Sequence, residues 1–186
     1  MKKYLILYYS KTGNCKFVAE KLCREFSCDI EMIKPGINNT GILFLLSLMN
    51  ISVPVNTSAS TIGKYDEIIL IGPVWGGLLI APLKSILKMC IRQTKVVHFA
   101  VTCESKESDK NGKYGYNTVL NKFKEVADKM AGATAAFSTS LITGYNEKDY
   151  SIKVKPKFTN ANFGEELLKR FNSFRQSITG THSGAE

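Results

Sequence analysis

The sequence lacks the cysteine spacing of a disulfide scaffold or of a structural zinc site. Its five cysteines are odd in number and scattered, and no two of them form a C-x-x-C pair. They are Cys15, Cys23, Cys28, Cys90 and Cys103. Such a pattern is typical of a protein kept in a reducing compartment, so we expect a cytoplasmic protein with free thiols.

The sequence also lacks a long apolar run. The apolar stretch from Gly41 to Met49 is far shorter than the about 20 residues that a membrane-spanning helix needs. Lys2 and Lys3 precede a second apolar run, but that run ends at Ser10 without a cleavage-like site. We therefore expect neither a membrane span nor a signal peptide.

Nucleic-acid signatures are absent as well, although the chain is basic. The net charge is +9 and the isoelectric point is near 9.3. The excess is spread along the chain, with no zinc-finger spacing, RNP-like aromatic motif or block of consecutive basic residues. Charge alone is weak support for a nucleic-acid-associated domain, and solvated helix faces explain most of these lysines.

What the sequence does contain is a strand, turn and helix start near its beginning. The apolar run from Tyr4 to Tyr9 suits a buried strand. A turn with the sequence S-K-T-G-N-C follows, and apolar residues then recur at helical spacing from Phe17. Unpaired amides and the helix dipole favour an anion at such a helix start. Hydroxyls at Ser10 and Thr12 make phosphate the best candidate.

Strand and helix patterns alternate along the rest of the chain. This alternation predicts an α/β fold, a doubly wound parallel sheet covered by helices on both faces. The expected strands are Tyr4–Tyr9, Asp29–Ile33, Glu67–Ile71, Lys95–Thr102 and Ala133–Leu141. The expected helices after the first are Ile42–Met49, Leu79–Ile91, Tyr116–Met130 and Phe163–Phe174.

The length predicts one domain, residues 1–176, followed by a disordered tail, residues 177–186. The segment from Tyr145 to Asn162 fits either an edge hairpin or a solvated loop. His98, in the middle of a predicted strand, is expected to be a core histidine, whereas His182 falls in the tail.

Three loops leave the carboxyl ends of predicted strands, where open parallel sheets bind their ligands. They are Ser10–Cys15, Gly72–Pro82 and Thr102–Gly115. The second loop, G-P-V-W-G-G-L-L-I-A-P, carries the only tryptophan of the chain. Trp75 beside two glycines is well placed to stack on a flat ligand, or else it anchors the loop onto its own helix.

The turn S-K-T-G-N, with G-P-V-W-G-G and A-P-L-K after the third strand, resembles the flavodoxin family over Lys3 to about Ile142. The resemblance implies a three-layer α/β/α fold with a five-stranded sheet in the order 2-1-3-4-5, and FMN across the three loops. The implied FMN-binding residues come from all three loops. They are Ser10, Lys11, Thr12, Gly13, Asn14, Cys15, Pro73, Val74, Trp75, Gly76, Gly77, Thr102, Cys103, Glu104 and Tyr116.

Other phosphate-binding motifs are absent from the sequence. The chain has neither G-x-x-x-x-G-K-[S/T] nor G-x-G-x-x-G, and no cysteine has the arginine spacing of a low-molecular-weight phosphatase. The phosphate loop of the resembled family holds its ligand with hydroxyls and amides, so we expect Lys11 to face solvent. The family's final hydroxyl residue is replaced here by Cys15. A thiol at a helix start should have a lowered pKa, which leaves a redox role open beside a purely structural one.

Two further departures concern the third loop and the charge. Tyr114 and Tyr116 are both candidates to cover the outer face of the flavin, and we prefer Tyr116. The chain is basic where electron-carrying flavodoxins are acidic.

The resemblance implies an FMN-binding protein of intracellular electron transfer, with a reductase or a ferredoxin-like protein as redox partner and no catalytic side chain. One alternative is an FMN-dependent NAD(P)H:quinone-type oxidoreductase. Another is a binding module that has lost the flavin.

Overall fold

The computed structural model describes residues 2–151 and 153–180. Five parallel strands form one sheet in the order β2-β1-β3-β4-β5, as expected. The strands are β1 (Tyr4–Tyr8), β2 (Asp29–Met32), β3 (Glu67–Pro73), β4 (Val96–Cys103) and β5 (Ala131–Ser138). The main helices are α1 (Asn14–Phe26), α2 (Thr40–Leu48), α3 (Ala59–Gly63), α4 (Ala81–Arg92), α5 (Tyr116–Ala127) and α6 (Glu165–Gly180).

Alternate residues of the central strands enter two separate cores, one on each face of the sheet. In β1, Leu5 and Leu7 pack on the side covered by α4 and α5, while Ile6 packs on the side covered by α1 and α6. The same alternation holds in β3. Because both faces are covered, these strands are apolar at nearly every position, which is why they were recognisable as short apolar runs.

His98 is a core histidine, as predicted, and it is fully buried in β4. Its Nε2 atom lies 2.9 Å from the Glu67 carboxylate, and its Nδ1 accepts a hydrogen bond from the amide of Ala133. Burial lowers the pKa of His98 despite the opposing effect of Glu67. The imidazole is therefore a neutral structural link between three strands.

The expectation of a disordered tail from residue 177 is wrong for its first residues. Helix α6 continues to Gly180, and Ile178 is fully buried in the core on that face. The apolar spacing of Leu167, Phe171 and Phe174 extends one turn further to Ile178, which stabilises that last turn. Residues 181–186, including His182, lie outside the described residues.

The segment from Tyr145 to Asn162 has no strand in its described residues, so it is a loop rather than a hairpin. One 3-10 turn, Glu147–Asp149, interrupts it. The short helix α3 was not expected from the sequence. It begins with Ser58, whose hydroxyl caps the amide of Thr61, in a stretch too polar and too short to show helical periodicity.

Candidate functional site

The three loops meet at the carboxyl ends of adjacent strands β1, β3 and β4. The amide of Val74 donates to the carbonyl of Thr102 at 3.0 Å and so joins the second loop to β4. The ring of Trp75 meets the ring of Tyr9, the residue after β1, edge-on at 5.7 Å. The order of the strands in the sheet brings these loops together, and their contacts hold them side by side around the carboxyl ends of the strands, an area that we call the crevice.

The first loop presents an open helix N-terminus. Gly13 precedes α1 with φ of +99°, and no side chain caps the first amides of the helix. The Ser10 hydroxyl accepts a hydrogen bond from the amide of Gly13 at 3.1 Å, which closes the turn. A Cβ added at Gly13 would have no atom within 4 Å, so the space beside the turn is empty of protein. Lys11 and Thr12 are exposed there, as expected for Lys11.

The side chain of Asn14 is turned away from this turn. It is buried, and its amide nitrogen donates to the carbonyl of Pro156 at 3.0 Å while its oxygen accepts from the amide of Phe158 at 2.9 Å. Both polar atoms of Asn14 are thus committed to the segment between β5 and α6. The expectation that Asn14 contributes to a phosphate site therefore concerns its backbone amide at the helix start.

Cys15 and Thr102 are also brought together, but inside the protein. The Cys15 sulfur lies 3.0 Å from the Thr102 hydroxyl, and both residues are buried. Burial raises the pKa of Cys15 to about 12, which overrides the lowering expected from the helix start. Cys15 is therefore a neutral packing residue, and a redox role as a thiolate is not supported.

The second loop is a tight turn around Trp75. The amide of Leu78 donates to the carbonyl of Trp75 at 3.0 Å, and the intervening Gly76 and Gly77 have φ of +56° and +73°. Glycine adopts such angles without strain. A Cβ on Gly77 would overlap the carbonyl oxygen of Lys113, so the second and third loops touch at this glycine. Trp75 remains partly exposed at the crevice, with partly exposed Pro73 and Val74 before it.

Two residues at the start of the third loop differ in exposure. Cys103 is buried, and burial raises its pKa to about 11, so only its backbone is available at the crevice. Glu104 is exposed and forms an ion pair with Lys155 at 2.7 Å. A second pair, between Lys106 and Glu147, also ties the third loop to the segment after β5. That segment therefore borders the crevice.

Burial disfavours the preference for Tyr116 over Tyr114 as the residue that covers a ligand. Tyr116 is 5% exposed, and its hydroxyl donates to the Glu107 carboxylate at 2.8 Å. Burial works to raise the pKa of Glu107, but hydrogen bonds from Arg170 and Tyr116 outweigh it and lower that pKa. The Tyr116 ring is thus a structural anchor. Tyr114 is 63% exposed, next to the contact with Gly77, and is the aromatic residue free to face a ligand.

Sequence reasoning missed two neighbours of Trp75. The Tyr9 hydroxyl is buried with no hydrogen-bond partner in the described part of the chain, and burial raises its pKa to about 12. A buried hydroxyl without a partner is costly unless something else supplies one. The Phe44 ring of α2 would lie 3.3 Å from a Cβ at Gly76 and so borders the second loop. The pair Tyr8 and Tyr9 at the end of the first apolar run was the one feature of the sequence that could have indicated Tyr9.

Two kinds of site are absent from residues 2–151 and 153–180. Nowhere in these ranges do three histidine, cysteine or acidic side chains cluster closely enough for a metal ion. None of the helices described there has the length and apolar character to cross a bilayer.

Comparison with known proteins rests on structure alone, since the chain matches no protein-family model and no curated protein sequence. A flavoprotein from Lactobacillus acidophilus, solved in complex with FMN, is 22% identical with a TM-score of 0.56, covering 74% of this chain and 93% of that one. A putative flavoprotein from Bacteroides eggerthii has a TM-score of 0.60 at 17% identity, over 74% and 89% of the two chains. An NADPH-quinone reductase from P. pentosaceus is 14% identical over both full lengths, with a TM-score of 0.56. The chain has the flavodoxin-like fold.

Proposed function

We propose that this chain, on its flavodoxin-like fold, binds FMN in the crevice between the three loops and transfers electrons. The observation that carries the proposal is the joining of the loops around Trp75. Its ring touches Tyr9 of the first strand's end, its turn touches the third loop at Gly77, and the preceding Val74 bonds to Thr102. Three loops held together beside a partly exposed indole form a site for a flat ligand.

The phosphate of FMN would bind at the first loop. The uncapped amides at the start of α1 and the positive end of its dipole face the space beside Gly13. The hydroxyls of Ser10 and Thr12 are available to donate. Because the side chains of Asn14 and Cys15 point inward, this end holds phosphate mainly with backbone amides and two hydroxyls.

The ring system of FMN would lie against the second and third loops. Trp75 and the exposed Tyr114 supply aromatic surface, and the backbone of Cys103 and Glu104 lies at the start of the third loop. The Tyr9 ring packs edge-on against Trp75 from the core side and so supports the indole in its position. These features fit a flat heterocycle with hydrogen-bonding edges better than they fit an apolar ligand.

The flavin would supply the redox chemistry, and the chain would hold it, orient it and limit its contact with water. We assign no catalytic side chain. The two thiols near the crevice, Cys15 and Cys103, are buried with raised pKa values and so stay protonated at neutral pH. In the electron-carrier form of the proposal, a separate reductase or a ferredoxin-like protein exchanges electrons with the bound flavin.

An FMN-dependent NAD(P)H:quinone-type oxidoreductase is the second candidate. It is favoured by the likeness, over both full lengths, to the P. pentosaceus protein that is called an NADPH-quinone reductase. A binding module without flavin is the third, favoured by the inward side chains of Asn14 and Cys15. Steady-state turnover of NADPH with a quinone separates the first two, since a carrier needs a separate reductase.

The test of the site is a titration of apoprotein with FMN, followed by quenching of flavin fluorescence and of the single tryptophan. Comparison with riboflavin, which lacks the phosphate, isolates the first loop. A hydrogen bond to a charged group contributes about 1.5–3 kcal/mol, so Ser10→Ala and Thr12→Ala should each weaken FMN about tenfold or more and leave riboflavin unchanged. Ser173→Ala, an exposed serine on α6, is the matched control. Failure of the wild-type protein to bind FMN would favour the flavin-free module.

A further inference from the structure

Helix α2 buries a polar residue and exposes most of its apolar ones. Its two buried residues are Leu43 and a serine, Ser47, whose hydroxyl donates to Leu43 and accepts from the amide of Ala81 on α4. Its outer surface and the residues after it are apolar and between 41% and 61% exposed. These residues, which we call the α2 patch, are Ile42, Phe44, Leu45, Leu48, Met49 and Ile51. A contiguous exposed apolar surface of this kind marks a contact site for a protein or a membrane.

Helix α2 is held to the rest of the protein by hydrogen bonds, so the orientation of its exposed face is fixed. The Asn39 side chain caps its start by accepting from the amide of Ile42 at 3.1 Å. The Ser47 hydroxyl bonds across to α4 at 2.8 Å. Both hydrogen bonds fix the orientation in which Leu45 and Leu48 face outward.

The chain segments that build the α2 patch contain no carboxylate, and Glu125 of α5, which lines the pocket beside Leu48, is paired with Lys122 at 2.8 Å. The sequence has no aspartate or glutamate between Glu31 and Asp66, and none between Glu67 and Glu104. At the start of α2 the Lys11 ammonium lies 3.5 Å from the carbonyl of Asn38, and at its end the Lys84 ammonium bonds to the side chain of Asn50. Lys84 is only 6% exposed, so of these two lysines Lys11 alone is open to a headgroup. Exposed Lys88 adds a third cation on α4, which packs against α2.

We propose that the α2 patch docks on an anionic membrane surface, with its apolar side chains in the headgroup region and the exposed ammonium groups of Lys11 and Lys88 on acidic lipid headgroups. Apolar side chains beside exposed lysines on a surface helix are typical of interfacial attachment. Protein–protein contacts instead concentrate their affinity in tryptophan, tyrosine and arginine, and the α2 patch contains none of these. Attachment is peripheral, since α2 is far too short to span a bilayer.

Docking in this way also sets the orientation of the crevice. Phe44 borders the second loop at Gly76, so the crevice beside Trp75 would face the bilayer surface. Lipid-soluble electron acceptors reside there. The docking itself does not depend on bound FMN, so the apoprotein and the FMN-treated protein should attach equally.

The test is co-sedimentation of the full chain with vesicles of phosphatidylcholine and phosphatidylglycerol, against vesicles of phosphatidylcholine alone. We expect binding to the mixed vesicles that weakens as salt is raised. Leu45→Lys and Leu48→Lys should each reduce the membrane partition coefficient about tenfold or more. Each removes an aliphatic side chain that membrane docking would bury, and this loss outweighs the attraction of the added positive charge. Leu168→Lys is the matched control, an exposed leucine on α6 on the opposite face of the sheet.

Three results would overturn the proposal. The first is wild-type protein that stays in solution with the mixed vesicles. The second is an equal loss of binding in Leu168→Lys and Leu45→Lys. The third is a dimer in sedimentation velocity without lipid that Leu45→Lys dissociates, because the α2 patch would then be covered by a second copy. Thermal unfolding of each variant checks that the fold is kept, and Leu48→Lys serves if Leu45→Lys does not fold.

Discussion

Gly77 joins the second and third loops, and its replacement by alanine tests whether that junction is part of the binding site. The residue has φ of +73°, and a Cβ would overlap the carbonyl oxygen of Lys113 and lie 3.1 Å from the Cα of Tyr114. The left-handed angle costs about 1–2 kcal/mol for alanine. The overlap with backbone adds about 1–3 kcal/mol, because the third loop must move to relieve it.

The neighbouring glycines separate these two effects. Gly76 has φ of +56°, but its Cβ would meet only the edge of the flexible Phe44 ring at 3.3 Å. Gly144 has φ of +75° and no atom within 4 Å of the added Cβ. Gly76→Ala and Gly144→Ala should each lose about 1–2 kcal/mol of unfolding free energy, and Gly77→Ala about 2–5 kcal/mol.

Binding of FMN is the decisive measurement. Displacement of the third loop at Lys113 and Tyr114 should weaken FMN binding by Gly77→Ala more than tenfold, while Gly144→Ala binds like the wild-type protein. Denaturant titration gives the stability, and flavin fluorescence gives the dissociation constant. If Gly77→Ala binds FMN as tightly as Gly144→Ala does, the junction of the two loops is not part of the site and the reasoning fails.

Three further predictions follow from buried or exposed side chains. Cys15→Thr, which restores the hydroxyl of the resembled motif, should leave FMN affinity unchanged and cost about 1–3 kcal/mol of stability through overpacking, measured by denaturant titration. Tyr114→Ala should weaken FMN binding, whereas Tyr116→Phe should lose about 1 kcal/mol of stability and keep its affinity, and the reverse result would restore Tyr116 as the flavin's cover. Because the pKa of His98 is lowered in the folded protein, its contribution to stability is present above about pH 6.5 and is lost as the pH falls toward the folded value. A denaturant midpoint that falls with pH in the wild-type protein but not in His98→Gln would bear this out, and equal slopes would contradict it.

The sheet was predictable because its strands are apolar on both faces. Glu67–Ile71 and Lys95–Thr102 were recognised within two residues of the observed β3 and β4. The strand order came from the flavodoxin resemblance and is confirmed. The errors lie at the ends of the strands and helices, where the hydrophobic pattern in the sequence is weakest. The last turn of α6 depends on the burial of Ile178, and a single apolar residue after a polar stretch does not predict a helical turn.

The candidate site was predictable as three neighbouring loops, but the orientations of its side chains were not predictable. Motif spacing placed Trp75 and Gly77 in one turn beside the third loop. It carried no information on which way Cys15 or Tyr116 points, because that depends on partners outside the motif. These are Thr102 for the thiol and Glu107, which is paired with Arg170, for the phenol. Tertiary hydrogen bonds decide such orientations, and a local motif does not contain them.

Asn14 shows how such a distant partner changes the meaning of a motif. In the sequence it is one polar residue of a phosphate turn, yet its two hydrogen bonds reach Pro156 and Phe158, residues that lie 142 and 144 positions away. The ion pairs of Glu104 and Lys106 attach the same distant segment to the third loop. This segment therefore connects the first and third loops from outside the sheet. In the proposed FMN complex, the segment would join the loop that holds the phosphate to the loop that lies against the ring system.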